Sequence, residues 1–199
     1  MNMRGQQFQK MSIRRLVLEV IFLTIAVFFA LAVDEGWEDY ENSEAANLAL
    51  SRVLLELEGN EVLISEANEQ HGLELARFQP VVELLNTQKS IPEGFDAAVN
   101  FQISIMRNTA WESAQLTDVL RYLPYEKVQK FAAVYSLQEL YQNQTMQIFN
   151  YQGSVEFIGA NADVQLQSAF QRLLKIYAIE QALQTAYAQF HALGNSDSK

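Results

Sequence analysis

Hydrophobic and polar positions along this chain follow two regimes. From Leu16 to Val33 the run is apolar on every side, interrupted only by Glu19 and Thr24. Its 18 residues, at about 1.5 Å each, come close to the ~30 Å hydrocarbon core of a bilayer. Past Val33 the pattern changes. Trp37, Tyr40, Leu50, Val53, Leu54, Leu57 and Ile64 recur mostly at threes and fours, the stripe of an amphipathic helix. Punctuation is sparse, and the intervals are rich in Ala, Leu, Gln and Glu, which favour helix. No stretch alternates with period two between turn signals, so no strand is predicted.

The pattern predicts a first helix capped at Ser12, crossing the membrane over 13–33 and running on to about Gln70. His71-Gly72 reads as its end or corner. A second helix covers Leu73 to Thr87, kinked or split at Pro80, and Thr87 to Gly94 reads as a loop. A third helix covers about Phe95 to Leu120, with Arg107 to Thr109 as the place where it could break. Pro124 opens a fourth, running from Tyr125 to about Phe149. A fifth covers Ala162 to Leu193, closed by Gly194-Asn195. Helices with one apolar stripe bury it against each other. The expected fold is therefore all-α: a cytoplasmic tail over 1–12, a transmembrane helix over 13–33, an extracytoplasmic antiparallel bundle of the four-helix type over 34–195, and a tail over 196–199.

Charge orients this arrangement. Arg4, Lys10, Arg14 and Arg15 precede the apolar run, and Asp34, Glu35, Glu38, Asp39, Glu41 and Glu44 follow it. The chain through Val33 is net +3 and the remainder net −13, giving −10 in all. Bases on the cytoplasmic side place the N-terminus inside and the rest outside, which in a bacterium is the periplasm. A cleaved secretory signal is the rival, with Ala30-Leu31-Ala32 as its cleavage site. Retention is favoured, because the run exceeds the usual length of a signal's apolar region and continues into helix-forming residues. Glu19 lies one turn from Arg15, where it snorkels or pairs with it. The alternative is a membrane-buried carboxylate that pairs with a partner. Trp37 and Tyr40 suit the membrane interface.

Candidate chemistry is thin. An acidic exterior domain is repelled by phosphate, which excludes nucleic acid. With no Cys, disulfides, thiolate metal sites and Cys nucleophiles are excluded. The two histidines, His71 and His191, have Asn68 and Ala188 three positions before them, so the Glu-x-x-His motif of di-iron helices is absent. No Gly-x-Ser-x-Gly, Gly-x-Gly-x-x-Gly or P-loop occurs. Glu56, Glu58 and Glu61 read as a solvated face. No cofactor and no enzymatic activity are expected. Trp111 with Tyr122, Tyr125 and Tyr135 reads as aromatic packing or, in a sharper version, as the lining of a ligand pocket.

Several of these segments carry a resemblance: Glu35-Gly36-Trp37-Glu38-Asp39 after a basic tail and one span, the Leu/Glu stretch Leu50 to Glu61, Ala110-Trp111-Glu112-Ser113-Ala114, Leu123-Pro124-Tyr125, and the stretch Tyr135 to Tyr141. Together they resemble a family of uncharacterised single-span bacterial inner-membrane proteins with a helical periplasmic domain. The chain departs from that pattern at Gly36. The resemblance implies an anchor, a topology and a helical fold, and brings no catalytic residues. The function expected is a membrane-anchored, non-enzymatic interaction or accessory subunit. Its partners would be the lipid bilayer and a membrane protein or a second copy of the chain. The alternative is a periplasmic ligand-sensing bundle that signals through a partner.

Overall fold

The computed structural model describes residues 13–93, 95 and 99–194. The predicted tails over 1–12 and 196–199, and the caps at Ser12 and Asn195, lie outside them. The described secondary structure is all helical, with no strand among the described residues. Helix α1 spans Ile13–Gln88, α2 Thr109–Leu116, α3 Tyr125–Gln152, α4 Val155–Ile158 and α5 Ala162–Gly194, with a 3₁₀ turn at Val119–Tyr122 before α3. The chain divides into two compact units between Ala45 and Ala46, inside α1. In the first unit every described side chain from Arg15 to Glu41 is exposed.

The second unit holds the core. Val53, Leu57 and Ile64 of α1 pack with Phe131, Val134, Tyr141 and Ile148 of α3 and with Leu173, Ile176, Leu183 and Tyr187 of α5. A smaller cluster joins Phe78, Val81, Val82 and Leu85 of α1 to Leu166 of α5. Side-chain bonds fix the directions. Glu56 meets Tyr135 and Asn60 meets Gln138, so α1 and α3 run parallel. Glu61 meets His191, His71 meets Glu180 and Asn86 meets Gln167, so α5 runs back against α1.

Two expectations are corrected here. The predicted corner at His71-Gly72 does not form, and α1 continues through it and through Pro80. His71 is fully buried rather than placed at a helix end. A Cβ on Gly72 would stand in van der Waals contact with Tyr177 of α5, 3.4 Å away, so this glycine packs inside the helix rather than capping it. Proline costs a helix interior about 3 kcal/mol. Burial of Phe78, Val81 and Val82 on either side of Pro80 offsets that, at roughly 1.5–3 kcal/mol per side chain.

The predicted third helix over 95–120 is the second correction, and it replaces one of the expected bundle helices. Residues 99–108 are not helical, and only Thr109–Leu116 forms helix. This strap returns the chain along α1, with Gln102 bonded to His71 and Arg107 to Asn60. The eleven residues of α1 between those partners rise about 16 Å. Five strap residues span that only when nearly fully extended.

Asn60 holds the strap most firmly. Its amide donates to the Arg107 carbonyl at 2.7 Å and its carbonyl accepts from the Arg107 N–H at 2.9 Å. Ser104 Oγ donates to the Leu63 carbonyl at 3.1 Å, and Gln142 of α3 donates to the Met106 carbonyl at 2.8 Å. Asn60→Ala therefore strands two strap backbone groups and should destabilise the protein by about 2–4 kcal/mol, read by chemical denaturation. An unchanged midpoint would show that the strap is held by its apolar contacts alone.

Candidate functional site

The residues proposed to anchor the chain are placed as follows. The side chain of Arg14 lies outside the described residues. Arg15 and Glu19 are both exposed and form no ion pair with each other. Trp37 and Tyr40 are also exposed, with ring centroids 6.2 Å apart, and Trp37 Nε1 donates to Glu41 at 2.8 Å.

The aromatic cluster separates into two parts. Trp111 is buried and stacks on Tyr135, with centroids 5.2 Å apart and planes at 7°. Phe131 lies 6.1 Å from the Trp111 ring. Tyr122 is half-buried beneath the Arg121 guanidinium. Tyr125 is 73% exposed, and its hydroxyl accepts from Gln129. Trp111 and Tyr135 belong to the buried core, and Tyr122 and Tyr125 lie outside it.

The group that organises this region is Glu56, expected on a solvated face. It is half-buried instead. Its carboxylate accepts from the first-turn N–H groups of Ala110 and Trp111, at 2.9 and 3.4 Å, and from the Tyr135 hydroxyl at 2.7 Å. It caps α2 from a distant helix, where a negative charge meets unpaired N–H groups and the positive end of the dipole. Burial and the Glu56 charge push the Tyr135 hydroxyl well above its ordinary value. Glu58 is exposed. Glu61 pairs with His191 at 2.6 Å, across from α1 to α5.

A second polar centre lies deeper. His71 and Glu180 are both fully buried and meet at 2.8 Å, Nδ1 to Oε1. The Gln102 N–H reaches His71 Nε2 at 3.1 Å. A donor at Nε2 leaves the imidazole proton on Nδ1, where it donates to Glu180. One imidazole thus ties α1, α5 and the strap together. Glu180 Oε2, the Tyr141 hydroxyl and Asn68 Nδ2 are buried with no hydrogen-bond partner. Ser104 and Thr145 stand beside the Tyr141 hydroxyl without closing a bond to it, and burial pushes that hydroxyl up to about 12. Burial also raises Tyr187, whose oxygen accepts from Gln138 at 2.7 Å.

Sequence reasoning missed this column of Glu56, Asn60, Asn68 and His71. Its signal was present: Asn60, Asn68 and His71 fall on the helical face that also carries Val53, Leu57, Ile64 and Ala67, and a polar residue on an apolar stripe needs a partner.

His71→Ala leaves Glu180 buried without its donor and should cost about 3–5 kcal/mol in denaturant unfolding. Joining it to Glu180→Leu should recover much of that loss; a double variant no more stable than the single would mean the pair contributes nothing as a pair. Tyr141→Phe should change stability at neutral pH by no more than about 1 kcal/mol, since its hydroxyl makes no bond. In the native protein Tyr141 holds its proton up to about pH 12, whereas an unfolded tyrosine loses it near 10. Stability is therefore full below pH 10 and falls as pH rises toward 12. Alkaline denaturation of Tyr141→Phe should be shallower by up to about 1.4 kcal/mol per pH unit.

No family model, curated protein or solved structure matches this chain.

Proposed function

We propose that this chain is a single-pass membrane protein of the bacterial inner membrane, with its N-terminus cytoplasmic and its helical unit periplasmic. In this reading it serves as a non-enzymatic interaction or accessory subunit of a membrane complex. The observation that carries the reading is the exposure of the Leu16–Val33 segment. Its large apolar side chains are 48–71% exposed along a continuous helix, and none of the span is buried against the rest of the protein. A soluble monomer rarely leaves so much contiguous apolar surface in water, and hydrocarbon is the solvent that suits it. The exposed Trp37 and Tyr40 after the span match an interfacial belt. The helix does not break at Ala30-Leu31-Ala32, which supports retention over cleavage. The family that the sequence resembles has the same plan.

Two experiments test this. The chain has no Cys, so Ser12→Cys and Ser43→Cys each give a single label. A membrane-impermeant maleimide should label the second from the periplasm and the first only after lysis; the opposite pattern reverses the topology. Mild-detergent extraction of the full chain should bring a stoichiometric membrane partner through native-size separation and mass spectrometry. A lone monomer or dimer would remove the accessory-subunit reading.

A further inference from the structure

Between α3 and α5 runs a groove whose chemistry is opposite in sign to the rest of the domain. Gln144 and Gln147 line it from α3, and Ser168, Gln171, Arg172 and Lys175 from α5. Its volume is about 570 Å³, within the range of small-molecule sites. No carboxylate lines it, in a chain of net charge −10.

Three features show that these groups are held ready and unmatched. Gln144 is only 4% exposed, lines the groove, and makes no side-chain hydrogen bond among the described residues. Its carboxamide atoms therefore keep access to the groove, where a ligand can take the place of water. The Arg172 guanidinium lies over the Tyr151 ring, 3.6 Å from its centroid, with Nε buried and unpaired. Stacking holds the planar group in place before anything binds. Lys175 stands one turn along the same helix, and neither cation meets a carboxylate among the described residues.

We propose that this groove binds a small oxyanion, a carboxylate or a phosphate, that also carries hydroxyl or carbonyl groups. Arg172 and Lys175 supply the charge complement, Arg172 by a fork that fits two oxygens at once. The glutamines donate to and accept from the remainder of the molecule. The acidic surface around the groove is screened within about 8 Å at physiological salt, so the pair of cations dominates at contact. The site stands independently of the accessory-subunit reading, since it lies wholly within the helical unit.

The test uses the full chain in nanodiscs of uncharged phosphatidylcholine, labelled with ¹⁵N, at constant ionic strength. Inorganic phosphate and citrate are titrated separately. The expected result is a saturable shift of the Gln144 carboxamide and Arg172 Nε–H signals, half-complete below about 10 mM. A response to phosphate alone assigns a phosphate ligand, and one to citrate alone a carboxylate. Arg172→Gln with Lys175→Gln should weaken the response by about ten-fold or more. Gln144→Leu, which keeps both cations, should weaken it independently, so a misfolded double variant leaves the test intact. Absence of a saturable shift from either anion, or an equal shift in the folded variants, overturns the proposal.

Discussion

Everything in the helical unit depends on how an extended backbone is satisfied inside a helical fold. A strap from residue 99 to 108 has N–H and C=O groups at every residue and no neighbouring strand to pair with. Buried backbone groups left unpaired are costly. Side chains supply the partners instead, and α1 carries most of them on one face. Glu56 caps the helix that follows the strap, Asn60 closes both groups of Arg107, and His71 accepts from Gln102. Gln142 adds a donor from α3. Through these bonds the strap does the work of a descending helix with far fewer residues, because extended chain covers about twice the distance per residue.

The same column makes the core partly polar. Beside Ile64 and Ala67, at the level of the His71–Glu180 pair, sit the unpaired atoms of Asn68, Tyr141 and Glu180. A buried hydrogen-bonded pair of this kind adds little net stability, because desolvation offsets most of the attraction. What it does fix is register: the carboxyl of α5, the imidazole of α1 and the N–H of the strap meet at one position. Leucine packing alone would tolerate a slip of one helical turn more easily than this three-way bond does.

Charge is distributed with equal consequence. Bases gather before the apolar span and acids after it, while the groove between α3 and α5 is lined by no carboxylate. The apolar run and the groove are thus governed by different physics. One is a long-range preference of apolar surface for hydrocarbon. The other is a short-range arrangement of donors whose partners are not within the protein.

The apolar span and the all-helical character were determined by the sequence alone, because both depend on properties local to a few turns. Long apolar runs, 3.6-residue periodicity and scarce Gly and Pro need no distant partner to be read. The continuity of α1 through Gly72 and Pro80 was decided by tertiary structure, since burial of Phe78 and Val81 against α5 outweighs a local preference to break. The strap was hidden for a sharper reason. It alternates in burial, but with polarity largely inverted: Ser104 faces inward beside Met106 while Ile103 and Ile105 face out, Ile105 at 80% exposure. A pattern read from hydrophobicity cannot register that inversion. Glu56 and His71 were misplaced likewise, one on a solvated face and the other at a helix end, because their partners lie 54 and 109 positions away in sequence. Only folding brings those partners within bonding distance.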